Sequence, residues 1–559
     1  MMKKWRGSCC LVVLLVAALV AAGIVLILFW RSRCRGENFY THAAVAADSE
    51  TCSHIGRNIL EQGGSAVDGA IAALLCTSLI NPQSMGIGGG AIFTIYNRSQ
   101  GRVTVINARE AVPEKVMPGL LTGCSRLNPG TQWIAVPGEL RGYWKAHEQF
   151  GKLPWKSLFE PTIQLAETGF RLPELLRKFL EHQQLRHFIN NSLLRTLFYN
   201  NFGEPLEFVR YHQLAKTLKV IADQGPDAFY NGQIAQDLIT DIQEAAAAQK
   251  SDSTLTAEDL RRYKASVVKP LTVSLGDYMM YSPPLPTRGA ILSFILNILK
   301  GFHFTRESME GDQKVLTYHR IIEALKFGNG QLSRMTDPTF RPYNLSVLLS
   351  DRFAELMRQR IDNEAHPLQY YNIEHQAMEK YSTSHISVLD KDGNAVSVTS
   401  TINQIFGSMI FSPRTGIILN NQLADFCRAD RSPSNIAGQP PSSMSPSILI
   451  SQDRKSIMVV GGAGGSMILS ATAQVIMNKL WFGLSMKEAI EKKRIHIISD
   501  NSLQFEEEFD ERVKNEMKRK GHTITSPSQL PSVIQGIFAD QVCIEAVSDS
   551  RKYGKSAGY

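Results

Sequence analysis

Two short alternating runs, Ser384–Leu389 and Ala395–Thr401, flank the turn Lys391-Asp392-Gly393 and read as one β-hairpin. A three-residue loop with Gly393 at its φ > 0 position sets Thr383 opposite Thr401, whereas a two-residue loop would shift the pairing by one. The first register is preferred because it brings two hydroxyls to one end of the hairpin. A threonine hydroxyl is a poor nucleophile until a base removes its proton. At a chain's N-terminus that base is the residue's own α-amine, whose ordinary pKa is about 7.7 to 8.0. Within a continuous chain the amine is an amide. Chemistry at Thr383 therefore requires scission of Ser382-Thr383, by attack of the Thr383 hydroxyl on the Ser382 carbonyl and hydrolysis of the ester formed.

A second signal is the run Gly461-Gly462-Ala463-Gly464-Gly465-Ser466, between a strand-like segment Ser456–Val460 and a helical stretch from about Ile468 to Phe482. Glycines there free consecutive N–H groups to face an anion. Two such donors make an oxyanion hole, each contributing roughly 3 to 4 kcal/mol to acyl-transfer catalysis. A phosphate loop fits less well, since neither GxGxxG nor GK[ST] is complete.

Several motifs together carry a family resemblance. They are Thr383-Ser384-His385, Thr399 to Asn403, Leu419 to Gln422 with Asp425-Phe426, Pro441 to Met444, Gly461 to Gly465 and the ending Ala557-Gly558-Tyr559. Upstream, Asn81 to Gly90, Asn107-Ala108-Arg109-Glu110 and Pro137 to Gly142 belong to the same set. Nearly everything after residue 40 resembles a γ-glutamyltransferase. Within that family His42 to Ser49, Ser282 to Phe304 and Cys427 resemble the type 5 branch, which acts on glutathione conjugates such as leukotriene C4.

The resemblance implies an α+β fold, a four-layer αββα sandwich of the N-terminal nucleophile hydrolase class, self-cleaved into a large subunit (31–382) and a small catalytic one (383–559). It implies no metal and no organic cofactor. Thr383 is then the nucleophile, Thr401 its supporting hydroxyl, and Gly464 and Gly465 the oxyanion donors. Charge complements the assignment. A γ-glutamyl group carries a free α-carboxylate and α-ammonium, so Arg109, with Ser442 and Ser443, suits the carboxylate. Asp425, helped by Asn403 and Gln422, suits the ammonium; some members carry Glu where this chain has Gln422. The expected substrates are glutathione and its S-conjugates, with water, an amino acid or a dipeptide as acceptor. Two alternatives stay open: a tethered scaffold homologue of impaired activity, favoured by Ser382 where relatives often have Gly, and another amidohydrolase of the same nucleophile class. Arg109 with Asp425 argues against the latter.

The uncharged run Leu11–Trp30 is long enough for roughly 30 Å of helix and is read as an uncleaved anchor after a cytoplasmic tail, 1–10. Basic residues on both flanks leave the positive-inside rule nearly silent. Sequons at Asn97, Asn190 and Asn344 favour an extracellular body, giving a single-pass type II protein of the cell membrane. Of eight cysteines, Cys52 and Cys76 match a disulfide of vertebrate relatives, while Cys34, Cys124, Cys427 and Cys543 receive no partner. The segment Arg428–Ser443, rich in Pro and Ser, suits either a flap over the pocket or a plain surface loop. Net charge is +8, but the basic residues are dispersed and not interleaved with aromatics, so nucleic acid is not expected as a partner.

Overall fold

The computed structural model describes residues 36–559 apart from Pro118, Arg126, 333–343, 374–381, 428–435, Ala437, Ser499 and 527–531. Two seven-stranded antiparallel sheets form its centre. The first runs, edge to edge, Ala557–Gly558, Ala44–Ala46, Ser384–Leu389, Ala395–Thr401, Gly90–Asn97, Arg102–Ala108 and Ser266–Val268. The second runs Phe39–Tyr40, Ile544–Ser548, Val533–Ala539, Ile457–Ala463, Ser447–Ser451, Tyr278–Ser282 and Leu271–Leu275. The sheets stack through the strands at Ser384, Ala395, Ile457 and Val533. Helices Glu50–Glu61, Ala66–Ile80 and Glu139–Phe150 cover the outside of the first; Gly289–Lys300, Met467–Leu480 and Met486–Glu491 cover the second. This is the expected four-layer αββα order.

The hairpin has the expected register, with Ser384 opposite Ser400 and Leu389 opposite Ala395, and Gly393 has φ 79°. Its surroundings differ from a simple alternation. Both strands are wholly buried, so the polar positions do not face water. Ile386, Val388, Val396 and Val398 join the core under the helices. The opposite set lies between the sheets, where Ser387 and Ser397 donate to the Gln535 and Val460 carbonyls at 3.2 and 2.9 Å. Helix Ala66–Ile80 starts at a capping box of Ser65 and Asp68, and Asp390 of the hairpin accepts from the Ala66 N–H at 3.0 Å. The turn is thereby fixed to the helix layer. Helices Trp155–Thr168, Gly311–Asn329 and Ala257–Arg262 complete this part of the outer layers.

Cys52 and Cys76 are joined, tying the first two helices. Cys124 and Cys427, left without partners on sequence grounds, are also bonded to each other, and Cys543 is disulfide-bonded. The carboxylate of Tyr559 lies at the first sheet's edge, where its carbonyl oxygen accepts from the His42 N–H at 2.7 Å. Asn190 and Asn344 are exposed and Asn97 half-buried at a strand end. Among the described residues no helix is long and apolar enough to cross a membrane; the anchor expected at Leu11–Trp30 lies outside them, as does the tail 1–10.

A buried polar chain joins helix Gly311–Asn329 to the C-terminal part. Lys326 Nζ lies 2.8 Å from His522 Nδ1, His522 Nε2 3.0 Å from His319 Nδ1, and His319 Nε2 2.9 Å from the Asp362 carbonyl. Each link is satisfied only if both rings are neutral, the ammonium donating first and each Nε2–H passing the bond on. Burial holds His319 down to about 4 and His522 to about 2, below the ordinary 6.5. The unfolded chain therefore takes up protons from about pH 6.5 downward while the folded one does not, and stability present above pH 6.5 drains away toward pH 4. Thermal unfolding from pH 7 to pH 4 should show a falling Tm. A His319→Gln, His522→Gln double variant should start less stable at pH 7 and show a flatter decline.

Candidate active site

The second sheet determines where the hairpin's end opens. Strand Ile457–Ala463 continues into the glycine run, beyond the Val460 end expected from sequence, so Gly461, Gly462 and Ala463 pair with Gln535, Ile534 and Val533. Gly461 has a packing reason: a Cβ there would lie 2.3 Å from His385 Cε1. His385 is buried between the sheets, its Nδ1 2.8 Å from Thr399 Oγ1, and burial lowers its pKa to about 3, so it is neutral. Only Gly464 and Gly465 form the turn, with φ 119° and 60°, before helix Met467–Leu480. Neither gives its N–H to an acceptor among the described residues.

Thr383 and Thr401 share the inter-sheet side with His385 and Thr399 by strand alternation, and they emerge beside this turn. Thr383, Thr401, Arg109, Asn403, Gln422, Asp425, Ser442, Ser443 and Gly465 line one small cleft, with Met444 and Ile468. The structure brings together nine of the ten residues expected there. Gly464 stands next to them in the chain.

Around Thr383 the hydroxyls are ordered. Thr383 Oγ1 donates to Thr401 Oγ1 at 3.3 Å, and Thr401 Oγ1 donates to the Ser382 carbonyl at 2.9 Å while accepting from the Asn403 N–H at 2.9 Å. Ser382 is fixed by its N–H to the Asn403 carbonyl, 3.0 Å, and by its hydroxyl, 2.6 Å from Ser84 Oγ. Thr401 thus polarises the carbonyl of the Ser382-Thr383 bond. Asn403 takes φ 78°, a left-handed conformation that asparagine tolerates and that turns the chain out of the strand.

Arg109 and Asp425 are bonded to each other, Nη2 to Oδ2 at 2.5 Å. The Arg109 fork is not open in the way the sequence suggests: Nε donates to the Pro440 carbonyl at 3.2 Å and Nη2 also to that of Pro441 at 3.0 Å. Gln422 Nε2 donates to Asp425 at 2.6 Å, leaving Oε1 buried without a hydrogen-bond partner. At the end of the flap-like segment Ser442 and Ser443 line this cleft and the Pro440 and Pro441 carbonyls hold Arg109; 428–435 and Ala437 lie outside the described residues. The Cys124–Cys427 bond anchors the chain two residues after Asp425.

Four neighbours escaped sequence reasoning. Glu110 lies 3.2 Å from Arg109 Nη1 and is raised by burial to about 7, and Glu139, bonded to the Tyr143 hydroxyl at 2.6 Å, is raised to about 8. Both stand inside motifs already noted, adjacent to Arg109 or following Gly138. Arg288 donates to Ser443 Oγ at 2.5 Å, and Lys552 donates to the Thr383 carbonyl. No local signal marks these two, because only the fold brings them to the site. Elsewhere, among the described residues, His319, Glu323 and His522 approach closely enough to share a metal, but the Lys326 ammonium already sits between Glu323 and His522, at 3.7 and 2.8 Å.

The sequence matches the Gamma-glutamyltranspeptidase family over residues 52–559. It is 46% identical to the "Glutathione hydrolase 5 proenzyme" of Rattus norvegicus, covering 99% of both chains. Among solved structures, cephalosporin acylase from Bacillus halodurans shares the fold, with TM-score 0.83, 23% identity and coverage of 94% of this chain and 97% of that one. Gamma-glutamyltranspeptidase from Pseudomonas nitroreducens, complexed with L-DON, aligns with TM-score 0.52 and 27% identity over 58% of this chain and 95% of that one.

Proposed function

This chain belongs to the gamma-glutamyltranspeptidase family and is an enzyme of it, and from that premise we propose a self-processing, membrane-anchored glutathione hydrolase and γ-glutamyltransferase that also takes bulky glutathione S-conjugates such as leukotriene C4. The observation that carries the reading is one cleft holding both a threonine pair at a scissile junction and an Arg–Asp pair matched to an amino-acid end. Maturation begins when the Thr383 hydroxyl attacks the Ser382 carbonyl, which Thr401 polarises. Collapse of that adduct breaks the Ser382-Thr383 C–N bond and frees the Thr383 amine, leaving an ester on the Thr383 oxygen that water hydrolyses to release the Ser382 carboxylate and restore the hydroxyl. That amine then deprotonates its own hydroxyl, which attacks the γ-carbonyl of glutathione, and the N–H groups of Gly464 and Gly465 hold the oxyanion. Departure of the cysteinyl-glycine amine leaves a γ-glutamyl ester on Thr383, resolved by water or by an acceptor amine.

Substrate binding exchanges one buried ion pair for two. The α-carboxylate takes Arg109 together with Ser442 and Ser443, while the α-ammonium takes Asp425, Gln422 Oε1 and Asn403. Support for Gln422 comes from its unsatisfied buried oxygen, which suits an ammonium donor. The extracellular placement rests on the sequons and on the run Leu11–Trp30.

The disulfide pattern adds a specific expectation. Cys124 and Cys427 fall on opposite sides of Ser382-Thr383, so the two pieces stay covalently joined after scission. A denaturing gel should show one band without reductant and two with it, the smaller starting at Thr383. Two bands in both lanes would contradict the cross-link, and one band in both would contradict the cleavage. Turnover of glutathione against leukotriene C4 by the same preparation tests the substrate; inertness toward both would sink the functional reading.

A further inference from the structure

We propose that an ion pair between Lys552 and Asp48 sets the basicity of the Thr383 amine, making Lys552 a positioning and tuning residue of the reaction. Lys552 Nζ donates to the Thr383 backbone carbonyl at 2.5 Å and to Asp48 Oδ2 at 2.7 Å. Asp48 is fully buried, and its other oxygen accepts from Gln535 Nε2 at 2.6 Å, so its bonds go to Lys552 and Gln535 and not to Thr383. The lysine is itself held in place. It ends the turn Ser550–Lys552, whose capping residue Asp549 is bonded to the buried Arg494 at 2.7 Å.

The consequence follows from covalent geometry. A carbonyl oxygen lies within roughly 3.5 Å of its own residue's nitrogen, which puts the Lys552 ammonium within about 6 Å of the amine that scission would free. A cation so placed disfavours the protonated amine and keeps the base ready near neutral pH. Asp48 tempers that field by partly cancelling the charge. Other groups facing the nucleophile give little net bias: Arg109 and Asp425 neutralise each other, Glu110 sits against Arg109, and burial keeps His385 neutral. The pair also spans the junction, since Asp48 belongs to the large piece and Lys552 to the last turn of the small one. Base strength in the small piece is thereby coupled to correct docking of the large one.

This inference rests on the function proposed above, and its test separates the two. The acid limb of kcat/KM against pH, measured on matured enzyme with a γ-glutamyl anilide, reports the free-enzyme base. Lys552→Met should move that limb up by about one pH unit. Asp48→Asn should move it down, and Lys552→Arg should leave it near the parent position. Packing damage alone would lower the plateau in every variant without opposite displacements. An unmoved limb in Lys552→Met, or a shift of both variants in one direction, overturns the proposal. Should Lys552→Met stay uncleaved, Asp48→Asn decides by itself, an unmoved or raised limb counting against it. Absence of turnover in the parent protein would instead remove the underlying function.

Discussion

Replacing Thr383 by alanine is expected to leave the 62.2 kDa chain whole on a reducing gel and to abolish γ-glutamyl release. Both losses come from one atom. Thr383 Oγ1 belongs to the residue whose own amide is to be cut and it lines the cleft, while the neighbouring Thr401 hydroxyl is committed as donor to the Ser382 carbonyl, so no other group inherits either role. Removing the nucleophile of a comparable hydrolase constellation costs about 10⁶ in rate. Thr383→Ser should separate the two steps, cleaving slowly and then turning over, because serine keeps the hydroxyl and amine but lacks the methyl that restricts χ1. Thr401→Ala supplies the contrast. It removes the donor to the Ser382 carbonyl and should slow scission of the precursor more than turnover by matured enzyme, since that carbonyl no longer takes part once the bond is cut. A Thr383→Ala preparation that still splits at this junction would end the self-processing account.

How much of this was legible follows the range of the interactions. The hairpin register could be derived because a turn glycine and two facing threonines are local, and the strands obey it. Alternation marks the right strands but not what their polar side meets: Ser387, Ser397 and His385 lie between two sheets. One strand's pattern cannot tell water from a second sheet. On sequence alone the strand ends at Val460, ahead of the glycine run. Gly461 instead stays in the strand, where the ring of His385 leaves no room for a Cβ. Substrate charge and family likeness point to Arg109 and Asp425, but their direct bond joins residues 316 apart, which no local pattern encodes. The same holds for Cys124 with Cys427, 303 residues apart, and for Lys552 behind Thr383. What sequence conveys is the chemistry of the groups; what it withholds is which of them the two stacked sheets bring face to face.

Arg109→Met is expected to lower kcat/KM for γ-glutamyl substrates by roughly 10³, chiefly through KM, while leaving the chain folded and cleaved. Truncating one partner of a buried, hydrogen-bonded charge pair costs about 2 to 5 kcal/mol, much of it from the charge left behind. Here two carboxylates lose their cation, and the chain has a way to absorb it. Glu110 is already raised to about 7 beside Arg109, because desolvation outweighs the guanidinium's pull. Without Arg109 it rises further and stays protonated at neutral pH, so the fold escapes most of the penalty. Asp425 keeps the Gln422 amide, 2.6 Å away. Binding has no such escape, since the α-carboxylate would meet Asp425 with no intervening cation. Arg109→Lys should recover part of the affinity but not all of it, because an ammonium cannot reproduce the fork that now serves Pro440, Pro441 and Asp425 together. The decisive comparison uses an acyl anilide without the α-carboxylate. Its turnover should be poor in the parent enzyme and nearly unchanged in Arg109→Met. An equal loss for both substrates would place the damage at Thr383, not at the amino-acid end, and would remove Arg109 from substrate recognition.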